Sequence, residues 1–266
     1  MVHRLDAEGR DIVTRLAGKV AVITGGGTGI GQAIAVEFAR EGAKVAVGGR
    51  RREKLEETLS LLKQQGGEAV AVECDVTRAE DTERLVKTAE DCFGSVNVLV
   101  NNAGTLSVST VETISEADWD RLMATNVKGP FLMSRAVLPA MRRAGGGSII
   151  NIGSVLGIAA IRDRAAYCAS KGGVTMLTKA MALDHAGDHV RVNCVCPSIV
   201  ESAMTEMFFA ETEAARKIRD SRLASIPLGR FGKPGDIAGI VVFLASDESS
   251  WMTGTVIPVD GGVTAE

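Results

Sequence analysis

Short Val- and Ile-rich runs alternate along this chain with longer stretches of helical periodicity. The runs are KVAVIT (19–24), AKVAVGG (43–49), AVAVEC (69–74), NVLVNN (97–102), SIINIG (148–153), VRVNCV (190–195) and TVIPVD (255–260). Most are nearly continuous in apolar residues, as strands covered on both faces are. Helical stretches lie between them at 30–41, 52–65, 78–92, 116–143, 166–186 and 235–246. Such alternation, without a repeat or a low-complexity linker, predicts an α/β fold: a single doubly wound parallel sheet of about seven strands with helices on both faces. No domain boundary is expected after residue 18. The charged segment MVHRLDAEGRDIVTRLA (1–17) lacks the apolar core of a signal peptide and reads as a loose N-terminal extension to one domain, 18–266.

Two helical regions depart from simple amphipathicity. YCASKGGVTMLTKAMALDHA and WDRLMATNVKGPFLMSRAVLPAM are apolar or small on more than one side. One face covers the sheet; the second needs a partner, most simply another copy of the chain, so a homo-oligomer is expected, as a homotetramer. A third region, 198–229, interrupts the strand–helix rhythm before the last helix. A long excursion at the carboxyl ends of strands is where a substrate lid sits.

Composition narrows the function. Of the 266 residues 45% are apolar, yet only 4% are aromatic, so the core is aliphatic. A net charge of −3 with scattered basic residues gives no electrostatic footprint for nucleic acid. No apolar run reaches the ~18 residues a membrane helix needs. The five cysteines have no framework spacing and read as reduced residues of a cytoplasmic protein. The pair in NCVC would share one face of a strand. With no second pair, and with His185 and His189 straddling a helix end, no metal site is expected.

The first strand runs into TGGGTGIG (24–31), framed as Gly25, Gly29 and Gly31. Glycines let a backbone turn tightly and approach a pyrophosphate, and the helix opening at Ile30 and Gly31 faces that charge. The reading is a dinucleotide site with Gly25, Gly27, Thr28, Gly29, Ile30 and Gly31 against the cofactor. The second strand ends in VGGRRREK, with Gly49 and Arg50 where an NAD site usually has an acid for the ribose 2′-hydroxyl. A small residue followed by arginine leaves room and charge for a 2′-phosphate, which favours NADP(H) over NAD(H). Thr28 supplies no second basic group, so NAD(H) stays open as the alternative.

AAYCASKGG (165–173) holds Tyr167, the single tyrosine of the chain, with Lys171 four positions on. On a helix the two share a face. A unit charge at ~4 Å and an effective dielectric of ~20 is worth roughly 4 kcal/mol, enough to favour a phenolate markedly.

Together these motifs make the chain resemble the short-chain dehydrogenase/reductase family from about residue 18 to 262. The landmarks occur in order: TGGGTGIG, Asp75 after the third strand, NNAG (101–104), Asn126 in TNVKG, Ser154 in INIGS, Tyr167 and Lys171 in YCASK, and Pro197. The resemblance implies a Rossmann-type fold and a ketone–secondary alcohol oxidoreductase. By it, Ser154 would hydrogen-bond the substrate oxygen and Tyr167 would exchange a proton with it. Lys171 would hold the nicotinamide ribose, and Asn126 would hold a water of a proton relay. Asp75 and Val76 would meet the adenine, Asn102, Ala103 and Gly104 its ribose, and Ile152, Pro197, Ser198, Val200 and Ser202 the nicotinamide end. Two departures stand out: Pro197 is followed by Ser198 where the family commonly has glycine, and Ser202 occupies a position often held by threonine.

The expected substrate is a small apolar ketone or secondary alcohol. Its pocket would be built from Ser154, Val155, Leu156, Ile161, Tyr167, Met204, Met207 and Phe208. Arg162 and Arg164 flank the tyrosine segment and read as surface charges. A 3-oxoacyl-thioester reductase is the alternative within the family. A non-catalytic NADP(H)-sensing protein is the alternative outside it.

Overall fold

The computed structural model describes residues 2–5, 11–202, 205–206 and 212–265. Seven parallel strands form one sheet: β3 (Val20–Thr24), β4 (Lys44–Gly49), β5 (Ala69–Glu73), β6 (Val98–Asn101), β7 (Gly147–Ile152), β8 (Val190–Pro197) and β9 (Val256–Val259). Their spatial order is β5-β4-β3-β6-β7-β8-β9. The chain therefore winds outward one way from β3, then crosses back to β6 and winds the other way. A crevice opens where the order reverses, outside the carboxyl ends of β3 and β6. Each strand coincides with one of the aliphatic runs, because only a strand sandwiched between helix layers can use so many consecutive apolar residues.

The two helix layers are distinct. On one face α1 (Gly29–Arg40), α2 (Arg52–Gln64) and α8 (Pro234–Ala245) pack Ile34, Phe38, Leu55, Ile237 and Val241 against Ile23, Val45, Val47 and Val100. On the other, α3 (Ala79–Phe93), α5 (Gly129–Arg143) and α6 (Ala165–His185) pack Leu85, Met133, Val137, Met141 and Met181 against Val22, Leu99 and Val192.

Three elements differ from the sequence expectation. The N-terminal segment carries an antiparallel pair, β1 (Val2–Leu5) and β2 (Asp11–Thr14), outside the large sheet. Just after it, Leu16 is fully buried in the core and the Arg15 guanidinium bonds Glu41 at 2.9 Å, so the packed body begins before residue 18. Charged flanks hide that single anchoring leucine from a pattern search.

The predicted helix over 116–143 is interrupted. It consists of α4 (Glu116–Met123), a π-helical turn over Ala124–Lys128, and α5. The cause is legible in the sequence: Pro130 has no N–H, so the carbonyl of Asn126 cannot receive the i→i−4 bond a regular helix would give it. The Gly129 amide bonds Ala124, five residues back.

The 198–229 excursion contains an unpredicted helix, α7 (Glu213–Ala224), opened by Thr212, whose hydroxyl accepts from the Ala215 amide at 3.2 Å. The ends of the excursion meet. The Glu201 amide bonds the Gly232 carbonyl at 2.8 Å, and the Gly232 amide bonds the Ile199 carbonyl at 3.0 Å.

Candidate active site

The glycine loop is braced from beneath. Thr24, at the end of β3, accepts at its hydroxyl from the amides of Asn102 (3.0 Å) and Ala103 (3.1 Å). The Asn102 side-chain amide donates back to the carbonyls of Thr24 (3.0 Å) and Gly25 (3.2 Å). NNAG thus locks the first loop to the neighbouring strand. Gly25 and Gly29 adopt φ of +65° and +57°, the left-handed region that favours glycine. A Cβ on Gly31 would lie 2.3 Å from the Gly25 carbonyl oxygen and 2.4 Å from the Asn102 amide nitrogen. Gly31 therefore works below the loop, letting α1 press against it, and is not itself on the cleft wall.

Above this base lies a cleft of about 590 Å³. Gly25, Gly27, Thr28, Gly29 and Ile30 line one end, with Arg50 from the end of β4, and with Asp75, Val76, Asn102, Ala103 and Gly104. Ile152, Ser154, Tyr167, Lys171, Pro197, Ser198, Val200 and Ser202 line the rest, and the two sets meet where a Cβ on Gly29 would lie 3.3 Å from Ser202 and one on Gly104 3.8 Å from the Lys171 nitrogen. Apart from Gly31, every cofactor position expected from sequence is on this wall. Arg51, Lys54, Thr105 and Thr205 also line it and were not expected. The run RRREK was the available signal for the first two. The Arg51 guanidinium reaches the Thr28 hydroxyl at 3.4 Å, so the basic corner touches the glycine loop.

The cleft fits a dinucleotide on its own geometry. Its floor rises where any Cβ on Gly27 would meet Lys54 at 3.0 Å, and its phosphate end faces the N-terminus of α1. Asp75 accepts the Thr77 amide (3.0 Å) and hydroxyl (2.8 Å) at one oxygen, and its other oxygen takes none of these bonds. Burial pushes the nearby Cys74 thiol up to about 12, so that thiol stays protonated.

At the opposite end Lys171 is buried, and its ammonium donates to the Ile152 carbonyl at 2.8 Å. The nitrogen sits 5.8 Å from the centroid of the Tyr167 ring, one helical turn away as the spacing predicted. Ser154, also buried, leaves β7 and accepts the Leu156 amide at 3.1 Å. Asn126 lies behind them, outside the cleft lining. Its side chain accepts the Thr105 amide (2.8 Å) and donates to the Thr105 carbonyl (2.9 Å) and the Ser170 hydroxyl (3.1 Å). Its carbonyl is the one that Pro130, lacking an N–H, cannot engage. Cys194 and Cys196 share one face of β8 as expected, sulfur to sulfur 3.7 Å, packed against Gly153. That bond, with burial, pushes the Cys194 thiol up. Among the described residues no group of three His, Cys, Asp or Glu could hold a metal ion.

The substrate side matches the expectation less well. Val155 is buried, Leu156 half-buried and Ile161 exposed, and none of the three lines the cleft. Val155 and Leu156 sit in a 3₁₀ turn over Val155–Gly157, and Ile161 lies beyond it. Met204, Met207 and Phe208 lie outside the described residues. Arg162 is exposed as expected, but Arg164 is only 9% exposed and is not a surface charge.

The comparisons with known proteins bear on this geometry. A family profile described as enoyl-(acyl carrier protein) reductase matches residues 25–264. The chain belongs to the short-chain dehydrogenase/reductase family. Among its relatives, 2-(S)-hydroxypropyl-CoM dehydrogenase 3 of Xanthobacter autotrophicus is 44% identical over 251 residues, covering 94% of this chain and 98% of that one. A 3-oxoacyl-[acyl-carrier-protein] reductase of Thermotoga maritima is 40% identical, covering 94% and 99%. Among solved structures, levodione reductase superposes with a TM-score of 0.90 at 33% identity, covering 94% and 99%. A Beutenbergia cavernae protein assigned as an NAD(P)-dependent gluconate 5-dehydrogenase, with NADP at low occupancy, gives 0.88 at 37% identity, covering 96% and 100%. As a member of this family the chain is an oxidoreductase that uses NAD(P). No helix among the described residues is long and apolar enough to cross a membrane.

Proposed function

We propose that this short-chain dehydrogenase/reductase interconverts a small ketone and its secondary alcohol, with NADP(H) preferred. The observation that carries the reading is that Ser154, Tyr167 and Lys171 line the same cleft as the glycine loop. Glycine-loop amides and the α1 N-terminus hold the pyrophosphate; Arg50, Arg51 and Lys54 supply charge for a 2′-phosphate. The bound nicotinamide supplies or accepts the hydride.

The chain's own residues handle the proton and the orientation. The Ser154 hydroxyl donates to the carbonyl oxygen and fixes its position. The Tyr167 hydroxyl gives its proton to that oxygen in reduction and takes it back in oxidation. Lys171, anchored on the Ile152 carbonyl, holds its positive charge toward the phenol and the nicotinamide ribose. The Asn126 carbonyl, which Pro130 cannot engage, suits a water through which Lys171 would be reprotonated from solvent. The part of the substrate next to the carbonyl is apolar.

The working form is a homotetramer in this reading. Met176 and Leu183 on α6, 62% and 83% exposed, give an apolar strip for a second copy to cover. The test of the function is the initial rate of NADPH and NADH oxidation with cyclic, aromatic and 3-oxo-ester ketones. Faster turnover with NADPH is expected; no oxidation with any ketone would reject the reading. The 40% identical Thermotoga relative favours a 3-oxoacyl thioester as the second reading, and adding such a thioester to the same assay decides between them.

A further inference from the structure

Serine is an unusual choice at position 198. The family commonly has glycine after this proline, so what the chain adds there is one hydroxyl. The backbone does not demand glycine. Among the described non-glycine residues only Asp163 and His189 have positive φ, so Ser198 sits in an ordinary conformation. Whatever a glycine main chain does at the nicotinamide end, the Ser198 main chain can still do. The side chain is the part without a role.

Ser198 is half-buried and lines the cleft with Ser154 and Tyr167. Other hydroxyls of that lining are engaged: Ser154 accepts the Leu156 amide, and Ser202 and Thr205 contact each other at 3.4 Å. Three have no partner among the described residues: Tyr167, Thr105 and Ser198. Tyr167 serves the proton. Thr105 is tied through both main-chain groups to Asn126, on the relay side. That leaves Ser198.

Its position sets what it meets. β7 and β8 pair Ile152 with Val195, and the Gly153 amide bonds the Val195 carbonyl at 2.7 Å. Continuing that register puts Ser154 level with Pro197, and Ser198 one residue further along the neighbouring strand. The two backbones are then about 6 Å apart. Along β8, Cys194 and Cys196 pack with Val174 of α6. Ser198, two residues on, falls on the same side, toward the helix that carries Tyr167 and Lys171. A carbonyl oxygen held by Ser154 and Tyr167 thus has a second, free hydroxyl close beside it. The apolar side chains expected there, Val155, Leu156 and Ile161, do not line the cleft.

We propose that Ser198 determines substrate choice by hydrogen-bonding a second oxygen on the carbon next to the carbonyl, so that the substrate is an α-hydroxy ketone and its reduced form a vicinal diol. The proposal rests on the ketone–alcohol reading and refines it: one side of the carbonyl is apolar, and the carbon on the other side carries the oxygen. Reduction adds a hydride to the carbonyl carbon and the Tyr167 proton to its oxygen, while the α-hydroxyl is held unchanged. A site built to bond a hydroxyl discriminates against the analogue that lacks it, because its own polar group is then left unpaired.

The experiment compares α-hydroxyacetophenone with propiophenone, which carries a methyl group in place of the hydroxyl, using purified protein and NADPH. Wild type, Ser198→Ala and Ser198→Thr are each read as the ratio of kcat/KM for the two ketones, so that intrinsic reactivity cancels between proteins. Ser198→Ala should lower the ratio about three- to tenfold, the worth of one hydrogen bond, and Ser198→Thr should keep most of it. A ratio unchanged in Ser198→Ala overturns the proposal, including the case in which the hydroxyl serves the cofactor and both ketones suffer equally. Calorimetric binding of the same two ketones to the protein–NADP⁺ complex separates the proposal from the function beneath it. Tighter, Ser198-dependent binding of the hydroxy ketone without turnover of either would sustain the oxygen site and reject the reductase reading. Equal binding of the two would reject the oxygen site whatever the turnover, and binding of neither would reject both.

Discussion

The two ends of the cleft are built in different ways. At the cofactor end, the loop after β3, the NNAG segment and the start of α1 are joined by five short hydrogen-bond and packing relations, each fixed by residue type. Thr24 accepts two amides, Asn102 donates to two carbonyls, and Gly31 leaves the only space through which α1 can approach. The other end adjoins an excursion between residues 199 and 232 that returns to its own starting point and lends the cleft Val200, Ser202 and Thr205. Its helix, α7, lies outside the seven-stranded sheet. Under the proposed function the first end would receive the cofactor, and the second, built from a connection rather than from the sheet, would be where substrate choice is made.

The comparison can be broken at either end. The largest effect is expected at their junction. Tyr167→Phe removes one oxygen and should lower turnover by about 10²–10⁴, the range of general acid–base catalysis. Gly31→Ala comes next: a Cβ 2.3 Å from the Gly25 oxygen forces the loop and α1 apart. A loss of about 1–3 kcal/mol in denaturant unfolding is expected, together with weaker cofactor binding, because the same loop does both jobs. Arg50→Ala should raise the Kd for NADPH by about tenfold and leave NADH nearly untouched. An equal fall for both cofactors would remove Arg50 from phosphate recognition.

The smallest effect tests the far side. Asp236 bonds the Arg230 guanidinium at 3.0 Å and the Lys233 amide at 2.6 Å, fastening the return of the excursion to the start of α8. Those bonds hold its carboxyl down at about 2. A carboxyl lowered on folding stabilises the protein above its unfolded value near ~4 and loses that contribution as pH falls toward 2. Asp236→Asn should lower Tm by about 2–4 °C at neutral pH, with the difference from wild type shrinking below pH ~4. A constant difference down to pH ~2.5 would show that the carboxylate charge is irrelevant there.

How much could be read beforehand follows the same division. All seven strands of the sheet were legible because a buried parallel strand needs an aliphatic run, and the comparable run in α8, AGIVVFLA (238–245), is set apart by the Pro234-Gly235 start that opens a helix. The cleft lining was largely legible because tight turns demand glycine, as at Gly25 and Gly29, and because a lone tyrosine with a lysine four positions on marks one helix face. The break at Asn126 was written in Pro130, but a hydrophobic pattern that continues across it reads as one helix. Leu16 was hidden by charged neighbours. Arg164 was misread as a surface charge because burial of an arginine depends on what tertiary structure folds over it. The residues of the excursion obey no period, and Val155, Leu156 and Ile161, apolar enough for a pocket, do not line the cleft.

The central claim is that the cofactor end is complete without the phenol, and that the phenol serves only the proton. The most direct measurement takes Tyr167→Phe and wild type side by side. NADPH binding is followed by fluorescence titration, and single-turnover oxidation of the bound cofactor by the best ketone is followed in the same samples. The account predicts an NADPH Kd within about threefold of wild type and a hydride-transfer rate lower by about 10²–10⁴. A variant that oxidises NADPH at close to the wild-type rate, or one that no longer binds it, would contradict the account.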